Sequence, residues 1–116
     1  MKMLVLSLVL VAFTLSPALA GEKKLPTLRS LSTPTCPACL QMAKVLDEIN
    51  DKYAGKLLAE KVNVEEHPEM AREYNVRYVP TLLFMDAEGK VVHQEVGYRS
   101  LDEVLEIFKK AGVTIE

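Results

Sequence analysis

Cys36 and Cys39 are the residues of this chain best suited to chemistry, and the dipeptide Pro37-Ala38 is all that separates them. Two thiols at this spacing can form a redox-active disulfide, supply half of a metal site or close a small structural loop. Proline is favoured at the first position of a helix because its missing N–H is not needed there. The pair is therefore expected at the beginning of a helix.

Metal binding and a structural disulfide are the weaker alternatives. A structural zinc site needs four ligands, and the two histidines, His67 and His93, lie far from the thiols in sequence and are not spaced as a pair. A copper(I) carrier is a further alternative, although the Cys36 loop contains no Met or His ligand. A disulfide stabilises less when it closes a shorter loop, and this loop is nearly the smallest available. We therefore expect no metal at the cysteines.

A redox function has a clear physical mechanism. If the helix begins at Pro37, Cys36 lies beside backbone N–H groups and the positive end of the helix dipole, which favour a thiolate over a thiol. Cys39, one turn into the helix, is expected to be more buried and to stay protonated until it is needed. In disulfide exchange Cys36 attacks or is attacked, and Cys39 resolves the mixed disulfide. Such a site uses its own disulfide and needs no cofactor.

Seven secondary-structure elements are predicted around this pair. Hydrophobic periodicity and turn residues indicate the order β-α-β-α-β-β-α. The predicted ranges are 25–31, 37–53, 56–64, 67–74, 82–85, 90–96 and 101–111. A capping box of Ser100 and Glu103 begins the last helix, and a hairpin turn joins the last two strands. Right-handed crossovers favour parallel pairing of the first strands, so the sequence predicts an α/β fold with a four-stranded mixed sheet and helices on both faces.

Beyond Cys-Pro-Ala-Cys, the chain resembles the thioredoxin superfamily in three stretches: LDEINDKYAGKL, KVNVEEHPEMAREYNVRYVPT and LLFMDAEGKVVHQEVGYRS. The resemblance covers nearly all of residues 25–112 and implies a thiol–disulfide oxidoreductase. It also implies that Pro80 follows a cis peptide bond and faces the disulfide, and that the backbone of Val79 pairs with an extended substrate peptide. Tyr78 and Tyr98 are candidates to line the substrate groove.

The chain departs from the usual family pattern at the site. Thr35 stands where thioredoxins usually have tryptophan, and Pro-Ala replaces Gly-Pro between the cysteines. Ser30 occupies the position of a buried carboxylate that assists the second cysteine. Lys61 matches a partly buried lysine of the family, so proton transfer to Cys39 is expected to use Lys61 or water; the alternative for Lys61 is a solvated strand lysine. The first β-α unit of ordinary thioredoxins is missing, which makes this a minimal version of the fold.

The first twenty residues have the layout of a secretory signal peptide. Lys2 is followed by an almost unbroken apolar run at 3–15, and Ala18-Leu19-Ala20 gives a small-x-small cleavage site. The apolar run is short for a membrane span, although an uncleaved membrane anchor is the alternative. We therefore expect a signal peptide at 1–20 and a thioredoxin-like domain at 21–116. Such a domain works in an oxidising space, here the bacterial periplasm.

Composition narrows the range of partners. The 116 residues are 49% hydrophobic and 26% charged, with a formal net charge of −2, so one domain is expected and no nucleic-acid partner. The Pro-Ala dipeptide lacks the histidine that strong oxidants of the family carry, which favours the reducing half of the potential range. We expect a monomeric reductase of protein disulfides, recharged by a membrane electron donor. A weak oxidase or isomerase with the same residues, and a binding module that uses the Pro80 edge, are the alternatives.

Overall fold

The computed structural model describes residues 24–115, so the predicted signal peptide at 1–20 lies outside the described residues. All seven predicted elements are present in the predicted order. They are β1 (Thr27–Ser32), α1 (Pro37–Lys52), β2 (Leu58–Asn63), α2 (Pro68–Glu73), β3 (Thr81–Met85), β4 (Val91–Val96) and α3 (Leu101–Lys110).

The four strands form one mixed sheet in the order β2-β1-β3-β4. β1 and β2 are parallel and are joined by α1, as expected for a crossover connection. The β1–β3 and β3–β4 pairs are antiparallel, and the second of these has an irregular register between Phe84 and Met85. Because β1 lies inside the sheet, the loop that follows it places the beginning of α1, with both cysteines, after an inner strand.

Helices cover both faces of the sheet, as predicted. Leu28, Leu82 and Phe84 point to the face covered by α1 and α3, where they form the main core with Met42, Val45, Leu46, Ile49, Val104 and Phe108. Leu31, Leu83 and Met85 point to the opposite face, where Tyr74 at the end of α2 packs on them. The alternation of side chains along β1 and β3 therefore builds one large and one small apolar layer.

Several element boundaries differ from the predicted ones for identifiable backbone reasons. β1 begins at Thr27 and not at Leu25, because Pro26 between them has no N–H to donate to a strand ladder. β2 begins at Leu58, because the N–H groups of Lys56 and Leu57 donate to the carbonyl of Tyr53 at the end of α1. These hydrogen bonds extend the helix terminus into residues that alternate like a strand.

A polar side chain fixes α1 to β2. Asn50 of α1 donates to the carbonyl of Ala59 at 2.9 Å and accepts from the N–H of Ala59 at 3.0 Å. The N–H of Leu58 donates to the carbonyl of Pro26, next to β1. The backbone N–H and carbonyl of Ala59 therefore point to the outer edge of the sheet. The amide of Asn50 therefore occupies the place of a neighbouring strand at this edge.

Within residues 24–115, the helices are too short or too polar to cross a membrane.

Candidate redox site

Cys36 and Cys39 are joined by a disulfide at the beginning of α1, with 5.1 Å between their Cα atoms. Cys36 is the N-cap residue and has extended backbone angles, and Pro37 is the first helical residue, as predicted. The N–H of Cys39 points to Cys36 Sγ at 3.1 Å. Cys36 is half-buried whereas Cys39 is only 3% exposed, so a partner can reach the first sulfur much more easily than the second.

The surroundings of Cys36 favour negative charge on its sulfur once the disulfide is reduced. The helix dipole and the Cys39 N–H both stabilise a thiolate at this position. The first turn of α1 contains no acidic residue that would oppose it. Ala38 is half-buried, and Thr35 and Pro37 are exposed around the sulfur. The arrangement can therefore hold a nucleophilic sulfur at the surface with its resolving partner beneath it.

The loop before β3 brings Val79 and Pro80 against Cys36. The Val79–Pro80 peptide bond is cis, as the family resemblance implies. The carbonyl oxygen of Val79 lies 3.6 Å from Cys36 Sγ, and Pro80 is buried. Gly97, just after β4, donates its N–H to the carbonyl of Pro80 at 2.8 Å, and this bond fixes the loop to the sheet.

Apolar side chains are exposed on the segments that meet at Cys36. Tyr78 is 70% exposed, and its carbonyl accepts a hydrogen bond of 2.7 Å from the hydroxyl of Thr81. Tyr98, 41% exposed, follows the glycine that bonds to Pro80. Leu40 and Val96 are also exposed. The two tyrosines are thus available to a bound chain on the Pro80 side of the sulfur.

A cleft of about 290 Å³ opens on the other side of the site and reaches Cys39. Lys61, Asn63 and Glu66 line it. Lys61 is exposed, where the resemblance implies a partly buried lysine, and it lies beside Ser30 in the β1–β2 register. Sequence reasoning missed Glu66 at this place, and its position three residues after the end of β2, a strand of the parallel pair, is the signal that could have found it.

The histidines are engaged elsewhere. His67 Nδ1 lies 3.2 Å from Glu69 Oε1 on α2, and His93 Nε2 lies 2.6 Å from Glu95 Oε2 on β4. In residues 24–115, no group of three or more His, Cys, Asp or Glu side chains could hold a metal ion.

Comparison with solved structures places the fold. A chloroplastic thioredoxin z structure superimposes with a TM-score of 0.69, covering 78% of this chain and 80% of that chain at 19% identity. A malarial protein structure gives the same TM-score of 0.69 at 18% identity, covering 77% of this chain and 99% of that chain.

Comparison of sequences identifies the family. A thioredoxin from Chlorobaculum thiosulfatiphilum is 40% identical over 62 residues, which are 53% of this chain and 56% of that protein. Thioredoxin 1 from a Nostoc strain is 37% identical over 60% of this chain and 65% of its own length, and a Synechocystis thioredoxin is 37% identical over 66% and 70%. The chain thus spans between 56% and 70% of the length of these relatives. The thioredoxin-like domain family matches residues 14–112, and the chain belongs to it.

Proposed function

We propose that this protein is an exported thiol–disulfide oxidoreductase that reduces disulfides in other exported proteins. The observation that carries the proposal is the placement of Cys36 Sγ, 3.1 Å from the N–H of Cys39 and 3.6 Å from the carbonyl of Val79. The first contact favours a thiolate, and the second places the sulfur beside backbone that an extended chain can pair with. Curated relatives named thioredoxin support the same activity.

Reduction of a substrate proceeds in two exchange steps. The Cys36 thiolate attacks one sulfur of the substrate disulfide, a Cys36–substrate bond forms, and the other substrate sulfur leaves as a thiolate. Cys39 then loses its proton and attacks Cys36 Sγ. The Cys36–Cys39 bond forms, the mixed disulfide breaks, and the second substrate sulfur leaves with the electron pair. The substrate has gained two electrons and the protein has lost two.

Residues around Cys36 align the substrate for these steps. The backbone of Val79 aligns the substrate, Pro80 presents that backbone to the sulfur, and Tyr78 contacts residues that flank the substrate cysteine. Thr35, Pro37 and Ala38 form the surface around Cys36, which has no side-chain charge of its own. A neutral dipeptide stabilises the thiolate less than a histidine-containing one would, which supports a reducing protein over a strong oxidant.

An exported reductase is expected to receive its electrons from a membrane protein. The leader-like sequence at 1–20 favours delivery to the periplasm, where disulfides persist. The oxidised protein would there be recharged by a membrane protein with its own dithiol, through the same two exchange steps in the opposite direction. The domain acts as a monomer in this proposal, since both steps use residues of one chain.

The experiment is trapping of substrates with Cys39→Ser. This variant keeps the attacking sulfur but cannot resolve the mixed disulfide, so covalent adducts should accumulate in cell extracts and disappear on reduction. Cys36→Ser is the matched control and should trap at most background amounts. Absence of adducts with Cys39→Ser, while Cys36 still reacts with a small thiol reagent, would contradict the proposed function and favour a binding module.

A further inference from the structure

The exchange steps above leave open which group accepts the proton that Cys39 loses. Cys39 must lose a proton before it can attack, yet its side chain is almost completely buried. The polar residues buried in the described core are Ser30, Ser32 and Thr81, and a hydroxyl is a poor proton acceptor at neutral pH. The proton therefore has to leave towards solvent, and the cleft is an opening to Cys39.

The carboxyl ends of the two parallel strands form the floor of this cleft. β1 and β2 end side by side at Ser32 and Asn63, which are partners in the register. After β2 the chain turns back on Asn63, whose side-chain oxygen accepts from the N–H of Glu65 at 2.9 Å. The backbone carbonyl of Asn63 also accepts from the N–H of Glu66 at 3.2 Å. The turn holds Glu66 at the cleft, where it is the carboxylate among the lining residues.

We propose that Glu66 is the proton acceptor for Cys39 during resolution of the mixed disulfide, an inference that rests on the proposed function. The proton passes from Cys39 Sγ through water in the cleft to the Glu66 carboxylate. Cys39 then attacks Cys36 Sγ, the Cys36–Cys39 bond forms, and the substrate sulfur leaves and takes up a proton from solvent. Glu66 afterwards returns its proton to solvent, so that charge and electrons balance.

The other charged groups near the cleft are compatible with this role. Lys61 of β2 lines the same cleft, and its ammonium favours the thiolate that Cys39 becomes. α1 contributes Leu40 and Ala43, which carry no charge, and the β1–α1 loop contributes Thr33 and Pro34. His67, the next residue after Glu66, is engaged with Glu69 on α2. Glu66 is therefore the base that serves the cleft.

The chain supplies a matched control in the preceding residue. Glu65 is exposed on the same turn and has the same charge, but it does not line the cleft. Glu65→Gln and Glu66→Gln therefore change the net charge equally, and they differ in which carboxylate is removed. Glu66→Asp keeps a carboxylate at the cleft and tests whether charge, and not the turn, is responsible.

The test is a stopped-flow reaction of the reduced protein with one equivalent of 5,5′-dithiobis(2-nitrobenzoate), followed from pH 5 to 9. The first nitrobenzoate thiolate is released when Cys36 attacks, and the second when Cys39 resolves the mixed disulfide. Glu66→Gln should slow the second release at least about tenfold at pH 7, within the usual range for general base catalysis, with little effect on the first. Its second-phase rate should keep rising with pH, as for a thiol that depends on hydroxide. Glu65→Gln should behave like the wild type, and Glu66→Asp should recover part of the rate.

Two results would overturn the inference. One is a second-phase rate for Glu66→Gln that equals those of Glu65→Gln and the wild type at every pH. The other is equal slowing by Glu66→Gln and Glu66→Asp, because the carboxylate that aspartate retains would then contribute nothing. Failure of the proposed function is distinguishable, because Cys39→Ser would then trap no substrate adducts in cell extracts, whatever second-phase rates the Glu66 variants give.

Discussion

Replacing Asn50 with Ala should weaken the attachment of α1 to the edge of the sheet. The Asn50 side chain makes two hydrogen bonds to the backbone of Ala59, at 2.9 and 3.0 Å, and Ala59 is 5% exposed. Each such bond contributes about 0.5–1.5 kcal/mol net, so losing both costs about 1–3 kcal/mol. Alanine is the better helix former by up to about 0.7 kcal/mol, which offsets part of that loss. The free energy of unfolding should therefore fall by about 1–2 kcal/mol.

Thermal unfolding measures this effect directly. For a domain of this size, the expected loss lowers the Tm by about 5–15 °C. Asp47→Ala is the control, because Asp47 is also exposed on α1 and the change brings the same gain in helix propensity. Amide exchange adds a local readout, since the N–H of Ala59 should exchange faster in Asn50→Ala than in the control. Equal Tm values for the two variants, with unchanged exchange at Ala59, would refute the reasoning.

Three further variants test the core, the surface charges and the groove. Phe108→Ala should cost about 3–5 kcal/mol by urea unfolding, because Phe108 is fully buried with its ring centroid 5.0 Å from that of Phe84; a loss below 1 kcal/mol would contradict this packing. The hydrogen bond from His93 lowers the pKa of Glu95, so its stabilisation exists above the ordinary carboxyl pKa and is lost as pH falls through the lowered value. The free energy of unfolding of Glu95→Gln should therefore be about 0.5–1 kcal/mol lower than that of wild type at pH 7, and it should fall less than that of wild type from about pH 5 to 3. An equal fall of the two free energies over this range would contradict the prediction. Tyr78→Ala should raise the KM for a protein disulfide several-fold without changing the Tm, and an unchanged KM would remove Tyr78 from the groove.

The redox pair and the order of elements were predictable because local chemistry determines them. Cys36, Pro37 and Cys39 carry their own helix-start signal, and the stripe of Met42, Leu46 and Ile49 behind them is buried as its spacing indicates. The capping box of Ser100 and Glu103 likewise forms as predicted, since it depends on residues three positions apart. Signals of this kind need no knowledge of the tertiary structure.

The parts that sequence reasoning missed depend on contacts between distant segments. Asn50 reads as an ordinary polar residue on an exposed helix face, and only the arrival of β2 beside it gives its amide a partner. Glu66 reads as a residue that leads α2, and only the pairing of β1 with β2 places it at the cleft to Cys39. The exposure of Lys61 also follows from this arrangement, since β2 is a sheet edge among the described strands.

The reduction potential of the Cys36–Cys39 pair tests the central proposal most directly. The protein would be equilibrated with dithiothreitol and glutathione buffers of defined ratio, and the dithiol fraction measured by thiol alkylation. The neutral Pro-Ala dipeptide adds no charge that would stabilise the Cys36 thiolate further, so the account predicts a value near about −250 mV or lower, in the range of reductases. A value above about −170 mV would contradict the account, because the protein would then act as an oxidant or isomerase.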